Sequence, residues 1–265
     1  MHKLAIIGNP VAHSLSPLIW HEFARQTGVE LEYIKIEAPL DYFEQIVQDF
    51  FKAGGRAMNI TAPFKARAFA LAKTHNPHAL HSQTANLFIN TPQGLNADNT
   101  DGLGLVADLK RLKLNLTGKN ILIIGSGSVI YSVLSSLAAE SPARIDLLMR
   151  NSAKLSEFQA KLNLIQAYSA EVLYDLVINT TPNNSENKLF NEIKHLATDG
   201  LVYDMTYSAS QTLFMHAMEQ LNPQIIQANG IGMLIQQAKL GFYLVFGIMP
   251  EVENLYPLLQ GKLNG

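Results

Sequence analysis

The stretch NILIIGSGSVIYSVLSSL, residues 120–137, carries the clearest fold signal in the chain. Its first part is almost continuously apolar, which is typical of a strand that is covered on both faces in a parallel sheet. Gly125 and Gly127 follow, and the apolar spacing then becomes helical, with Ser132 as the small residue expected to pack against the strand. This context favours dinucleotide binding, because the glycines let the backbone approach a pyrophosphate and the helix N-terminus supplies N–H donors. The alternative interpretation is a plain tight turn.

Short apolar runs alternate with helical patterns on both sides of this stretch, beginning with KLAIIG (3–8). Strands that alternate with helices predict an α/β fold with mostly parallel sheets. NLTGKN (115–120) resembles the entry to a fresh β-α-β unit. We therefore predict a first unit over residues 1–102 and a Rossmann-like dinucleotide-binding unit over 103–230. The rest, 231–265, is predicted to form helices that return to the first unit.

The amino-acid composition excludes several classes of protein and of binding partner. Of 265 residues, 48% are hydrophobic and 16% are charged, so a sizeable core is available. The net charge of −2 and the lack of a basic run argue against nucleic acid or an anionic membrane as a partner. The absence of cysteine excludes disulfides and thiolate metal sites, and no metal is predicted. Gly8 and Pro10 interrupt the first apolar run too early for a signal peptide, so we predict a soluble cytoplasmic protein.

The strand after the glycine turn predicts which dinucleotide binds. RIDLLMRN (144–151) ends in Arg150 and Asn151, and Lys154 follows. An NAD site would place Asp or Glu there to bond the ribose 2′-hydroxyl, whereas a guanidinium suits a 2′-phosphate. The pattern favours NADP, with a solvated charge after a strand as the alternative.

Two hydroxyls stand at the start of a predicted helix. In HSLSP (13–17), Ser16 precedes Pro17 and is predicted to cap the helix, and Ser14 adds a second hydroxyl. Paired hydroxyls at a helix N-terminus predict an anion site.

A second polar group lies around the turn in MNITAPFKARAF (58–69), which holds Asn59, Thr61 and Lys65. Lys65 falls on the first turn of a predicted helix, where the helix dipole disfavours a cation. That placement indicates a functional residue, although an ordinary surface lysine is the alternative.

The stretch LNADNTDGLG (95–104) holds two carboxylates, Asp98 and Asp101, in what is usually just a turn. Spacing alone does not choose between them. Asn86 adds a further polar side chain before another strand.

Taken together, these stretches resemble the shikimate dehydrogenase family over nearly the whole chain. The motifs appear in the family order as GNPVAHSLSP (8–17), MNITAPFK (58–65), NTDGLG (99–104), GSGS (125–128), YDMTYSASQT (203–212) and GIGMLIQQA (230–238). The resemblance implies NADPH-dependent reduction of 3-dehydroshikimate to shikimate, on the pathway to chorismate and the aromatic amino acids. Residues 1–102 would then be the substrate-binding domain and 103–230 the NADP-binding domain. The alternatives are a broader quinate/shikimate dehydrogenase and a non-catalytic regulator that binds shikimate or a nucleotide.

The resemblance also implies the site residues. Lys65 and Asp101 fall on the catalytic pair. The substrate-binding positions are Ser14, Ser16, Asn59, Thr61, Lys65, Asn86, Asp101, Tyr207 and Gln237, of which the two serines and the tyrosine hold the carboxylate. The cofactor-binding positions are Gly125, Ser126, Gly127, Ser128, Arg150, Asn151, Lys154, Thr180, Gly230 and Met233. Trp20 and Phe23 are expected in the core, and the partner is a small-molecule substrate, with the chain a monomer or homodimer.

The chain departs from the family pattern in the cofactor half. Ser128 and Val129 replace the last two residues of the usual Gly-Ala-Gly-Gly-Ala turn, and bulkier side chains there would crowd the pyrophosphate. Met149 stands where the family has Asn before Arg150. The segment 179–187 lacks the usual small Ser-Gly run.

Overall fold

A computed structural model describes residues 1–182 and 188–264, so part of the segment 179–187 lies outside the described residues. The described chain forms two six-stranded sheets. The strands of the first sheet are β1 (His2–Gly8), β2 (Leu31–Glu37), β3 (Gly55–Ile60), β4 (Thr74–His75), β5 (Leu87–Thr91) and β6 (Gly94–Asp98). Those of the second are β7 (Asn120–Ile124), β8 (Arg144–Leu148), β9 (Ile165–Ala167), β10 (Tyr174–Asn179), β11 (Leu196–Asp204) and β12 (Ile226–Asn229).

Helices cover the sheets. They are α1 (Ser16–Thr27), α2 (Phe43–Lys52), α3 (Lys65–Leu71), α4 (Pro77–Ser82), α5 (Asp101–Arg111), α6 (Ser128–Ala138), α7 (Leu155–Lys161), α8 (Leu213–Leu221), α9 (Ile231–Phe246) and α10 (Leu255–Asn264). Within the described ranges, no helix is both long and apolar enough to cross a bilayer.

The second sheet is parallel throughout, in the order β12-β11-β10-β7-β8-β9. This is the doubly wound order of a dinucleotide-binding fold, and the strand order reverses between β7 and β10. Ligands of such folds bind at this reversal, outside the carboxyl ends of the strands. The predicted α/β class with a Rossmann-like half is therefore confirmed.

The first sheet is mixed, in the order β2-β1-β3-β5-β6-β4. Its strands β1, β2 and β3 are parallel, whereas β5 runs antiparallel to both β3 and β6. Asp98, which the sequence pattern predicted to lie in a turn, is instead the last residue of β6. The sequence GLNAD has little apolar character, and pairing with β5 across the turn at Gly94, whose φ is +108°, makes it a strand.

The helix α9 packs onto the first sheet's side of the molecule. Trp20 and Phe23 of α1 are fully buried there, as expected, and each ring centroid lies 5.5 Å from that of Phe242. The same helix also packs closely along α5. Helix α9, near the carboxyl terminus, therefore packs against α1, near the amino terminus.

The helix α6 contacts the first half of the chain through Ser132. Its Oγ lies 2.9 Å from Asn99 Nδ2 and 3.1 Å from Thr84 Oγ1. The expectation that Ser132 packs against its own strand was wrong, because these buried polar groups of the first half bind its hydroxyl. A Cβ on Gly102 would lie 2.1 Å from the Ser132 carbonyl oxygen. The backbones of α5 and α6 are therefore in direct contact at this point, and no side chain fits between them.

Candidate active site

One cavity of about 450 Å³ opens between the two sheets. Every residue predicted to contact the substrate lines it, together with three of the predicted cofactor residues. These lining residues are Ser14, Ser16, Asn59, Thr61, Lys65, Asn86, Asp101, Tyr207 and Gln237, with Thr180, Gly230 and Met233. The structure thus brings together positions that are up to about two hundred residues apart in the chain, at the end of the sheets where ligands of α/β folds bind.

Lys65 and Asp101 form a partly buried ion pair in this cavity. The Lys65 Nζ lies 2.6 Å from Asp101 Oδ2, and the two side chains are 16% and 8% exposed. Each residue begins a helix, α3 and α5 respectively. The N-terminal dipole of α5 stabilises the Asp101 carboxylate, and that carboxylate offsets the unfavourable place of Lys65 at the start of α3.

The geometry also separates the two aspartates that spacing left open. Asp101 Oδ1 accepts a hydrogen bond from Asn86 Nδ2 at 2.8 Å, and the Asp101 backbone N–H donates to Asn99 Oδ1 at 3.1 Å. Asp98 accepts instead from Asn76 Nδ2 at 2.7 Å and does not line the cavity. Asp101 is therefore the one of the two carboxylates that faces the cavity.

The two serines lie at the start of α1 in a different arrangement from the predicted one. Leu15 occupies the cap position and makes no side-chain capping bond, so the prediction that Ser16 caps the helix was wrong. The Ser14 Oγ accepts the Ser16 backbone N–H at 3.2 Å, because a turn of two residues places that hydroxyl over the amide. Both side chains line the cavity.

Tyr207 and His13 complete this end of the cavity. Burial raises the pKa of the Tyr207 phenol, so its hydroxyl remains a donor at neutral pH. The sequence assigned no role to His13. Its position next to Ser14 in the chain was the one sequence feature that pointed to this cavity. Hydroxyl donors at a helix N-terminus fit a carboxylate.

The amide side chains of Asn59 and Asn86 are held in the cavity wall by hydrogen bonds to neighbouring residues. Asn59 Oδ1 accepts the Tyr33 hydroxyl at 2.7 Å, and Asn86 Oδ1 accepts the Thr100 backbone N–H at 2.9 Å. Asn86 Nδ2 also lies 3.4 Å from Gln237 Oε1 of α9. Such an array of preset donors and acceptors fits a small ligand with several hydroxyls. No sequence pattern pointed to Tyr33, because its partner Asn59 lies on a different strand.

The glycine turn lies at the reversal of the second sheet. Gly125 has φ +121°, and a Cβ there would lie 2.4 Å from Thr180 Oγ1 after β10. Gly127 caps α6, and a Cβ there would meet nothing within 4 Å. This open backbone at a helix N-terminus fits a pyrophosphate. Ser128 is exposed at the start of α6, whereas Val129 lines the cavity.

Seven predicted cofactor residues do not line the cavity. They are Gly125, Ser126, Gly127, Ser128, Arg150, Asn151 and Lys154. They lie instead along the carboxyl edge of the second sheet, since Arg150 follows β8, the strand paired with β7. A dinucleotide bound along this edge would reach from Arg150 to the cavity.

Arg150 and Lys154 are exposed, and over the described part of the chain neither forms an ion pair. Asn151 Oδ1 accepts the Ala153 backbone N–H at 3.1 Å and so holds the turn between them. Two uncompensated cations beside the glycine turn fit a terminal phosphate.

Known proteins are similar to this chain in sequence and in fold. Residues 6–88 match the family model described as the shikimate dehydrogenase substrate binding domain. The chain is 37% identical over 270 residues to the shikimate dehydrogenase (NADP(+)) of Methylobacillus flagellatus, covering 98% of this chain and 99% of that protein. An Ael1 enzyme from Pseudomonas putida has a crystal structure with a TM-score of 0.86 and 30% identity, covering 99% of this chain and 98% of that one.

A further solved structure shows the same fold at lower identity. The shikimate 5-dehydrogenase of Thermus thermophilus, crystallised in complex with NADP(H) and shikimate, has a TM-score of 0.82 at 23% identity over 95% of each chain. Sequence similarity over nearly the full length and a cavity formed by the motif residues lead to one conclusion: the chain belongs to the shikimate dehydrogenase family.

Proposed function

We propose that this chain catalyses the reversible, NADP-dependent reduction of 3-dehydroshikimate to shikimate. The observation that carries the proposal is the Lys65–Asp101 ion pair, 2.6 Å long, in a cavity whose wall also holds the hydroxyl and amide residues of the family motifs. NADPH, when bound, supplies the hydride that reduces the C3 carbonyl. Gly125, Gly127 and Thr180 would hold its pyrophosphate side, and Gly230 and Met233 would lie beside its nicotinamide.

The chain's own residues handle the charge and the proton. The substrate oxygen at C3 gains negative charge during hydride transfer, and the Lys65 ammonium stabilises that charge and donates a proton to it. Asp101 holds the Lys65 ammonium in place and orients the hydroxyl that the substrate carries at C3.

The experiment that tests the function is a turnover assay of the purified chain with shikimate and NADP, followed by the absorbance of the reduced cofactor. Quinate, assayed in parallel, tests the broader specificity, because its extra hydroxyl lies on the carboxylate-bearing carbon near Ser14 and Ser16. Binding of shikimate without turnover would support the non-catalytic regulator instead. The ion pair argues against the regulator, since a pure binder has no need of it.

The carboxylate site gives a prediction on binding. The double change Ser14→Ala and Ser16→Ala should raise KM for shikimate and leave kcat nearly unchanged, because the carboxylate is bound equally in the ground and transition states. Steady-state kinetics measure both values. The control is Ser210→Ala, which removes an exposed hydroxyl outside the cavity. A large fall in kcat at unchanged KM would contradict the assignment.

Cofactor choice gives a second prediction. Arg150→Ala should weaken NADP binding by about tenfold to a hundredfold and barely change NAD binding, since a charge-assisted contact with the 2′-phosphate is lost. Titration with each cofactor measures this. Lys52→Ala, which removes an exposed charge at the end of α2, is the control. Equal efficiency of the unmodified chain with NADP and NAD would refute the role of Arg150.

The domain division is part of the same proposal. Residues 1–102 form the substrate-binding domain, 103–230 the NADP-binding domain, and 231–265 complete the first. Its support is that α9 and Leu255 of α10 share a hydrophobic cluster with Leu4 and Trp20. A cytoplasmic location and a monomeric or homodimeric state belong to the proposal too, and sedimentation measures the latter.

A further inference from the structure

The Tyr203 hydroxyl joins three elements around the cavity. It donates a hydrogen bond to Asp108 Oδ2 at 2.7 Å and accepts the Met233 backbone N–H at 3.1 Å. Tyr203 lies on β11, Asp108 on α5 and Met233 in the first turn of α9. One hydroxyl therefore links the second sheet to the helix that begins with Asp101 and to the helix that carries Gln237.

The Asp108 carboxylate, 1% exposed, is itself fixed in place. Arg111 Nε donates to its Oδ1 at 2.7 Å, and the Arg111 guanidinium lies 4.2 Å from the Tyr256 ring. A Cβ on Gly232 would lie 2.0 Å from both carboxylate oxygens, so only glycine allows α9 to approach so closely. The N-terminal dipole of α9 favours a carboxylate at this position.

The Met233 amide needs such a partner. It belongs to the first turn of α9, where backbone N–H groups have no acceptor within their own helix. Burial, followed by the charge of Asp108, raises the pKa of Tyr203 well above its ordinary value. The phenol therefore stays protonated and keeps its donor pointed at Asp108, which leaves its oxygen to accept from Met233.

We propose that Tyr203, held by Asp108, is a positioning residue that sets the first turn of α9 against α5. It thereby fixes the position of Met233, which is proposed to lie beside the nicotinamide, relative to Asp101. Tyr203 does not line the cavity and touches no reacting atom. The inference rests on the proposed function for its effect on hydride transfer, and on the hydrogen bond to Met233 for its effect on structure.

The same molecule contains a matched control. Tyr174 also donates to a fully buried carboxylate, Asp146 Oδ2, and Arg144 Nε binds Asp146 Oδ1 at 2.8 Å. The Tyr174 hydroxyl, however, meets the backbone of Ser169 rather than the first turn of α9. None of these four residues lines the cavity. The two Tyr–Asp–Arg groups, each with a buried tyrosine and a buried aspartate, share their chemistry and differ in the backbone that the tyrosine hydroxyl contacts.

The experiment compares Tyr203→Phe with Tyr174→Phe. Both variants should lower the Tm. Only Tyr203→Phe should also lower kcat, by about tenfold, with KM for shikimate within about twofold, because misplaced reacting groups slow the chemical step. The isotope effect on kcat with C3-deuterated shikimate should increase in this variant alone. Gly232→Ala, whose Cβ would push on Asp108, should lower kcat in the same way.

Amide exchange gives a readout that needs no activity. The Met233 amide should exchange faster in Tyr203→Phe than in the unmodified chain and should be unaffected in Tyr174→Phe. An inactive unmodified chain would refute the proposed function, and the exchange rates would still test the positioning. An unmodified chain with turnover would leave the proposed function standing. The positioning role would then be overturned if kcat and Met233 exchange were unchanged in Tyr203→Phe, or if both tyrosine variants changed them equally.

Discussion

Replacing Lys65 by alanine should lower kcat by a factor on the order of 100 or more, because general acid–base catalysis contributes that much. Shikimate binding should stay within about tenfold, a change below roughly 1.4 kcal/mol. The asymmetry follows from the timing of the charge. The oxygen at C3 is neutral in both shikimate and 3-dehydroshikimate, and its negative charge peaks only during hydride transfer, when the ammonium acts most strongly.

Calorimetry measures the binding of shikimate to the Lys65 variant, and absorbance of the reduced cofactor measures its turnover. The matched control is Lys73→Ala, which removes an exposed ammonium outside the cavity, just after the end of α3. Turnover of the Lys65→Ala variant at the rate of the unmodified chain would show that Lys65 is not catalytic.

Asp101→Asn should reduce kcat by a similar factor for a different reason. The neutral amide loses the charge that holds the Lys65 ammonium 2.6 Å from Asp101 Oδ2 in the unmodified chain. Its NH₂ group also cannot accept a hydrogen bond, as each carboxylate oxygen of Asp101 does from Lys65 or, at 2.8 Å, from Asn86 Nδ2. The double variant Lys65→Ala/Asp101→Asn should lose less than the two single losses combined, because the residues act as a unit. Steady-state kinetics of the four proteins give this comparison.

Asp98→Asn is the control for Asp101, since Asp98 lies three residues away and outside the cavity. Its hydrogen bonds to Asn76 and to the Asn99 backbone are structural, so we expect a loss of stability and a far smaller change in kcat. Strictly additive losses in the double variant, or an equal effect of Asp98→Asn on kcat, would contradict the pair as the catalytic unit.

The features predicted best from the sequence are those that depend on residues close together in the chain. Gly125 and Gly127 follow an apolar strand and precede a helix, and this local order was enough to predict the doubly wound half. The position of Lys65 at the first turn of α3 was likewise predicted, since the turn and the helix lie in one motif. For the substrate positions, the resemblance supplied the assignments, and the structure places them around one cavity. Their individual roles stay predictions.

The features that sequence reasoning missed depend on contacts between distant residues. Local spacing does not distinguish Asp101 from Asp98. The family resemblance assigned Asp101, and in the structure Asp101 contacts Lys65, thirty-six residues earlier, and lines the cavity, whereas Asp98 does neither. Strand β6 forms because β5 pairs with it, rather than through its own apolar pattern. Tyr203 and Asp108 are ninety-five residues apart, and no local pattern marks their hydrogen bond.

The central claim is direct hydride transfer between shikimate and NADP in the cavity of Lys65 and Asp101. The most direct measurement uses shikimate that carries deuterium on C3, with the unmodified chain and NADP, and mass spectrometry of the reduced cofactor. The account predicts that the deuterium appears on C4 of the nicotinamide, because no exchangeable intermediate lies between donor and acceptor. Reduced cofactor without deuterium, or no reduced cofactor with shikimate bound, would contradict it.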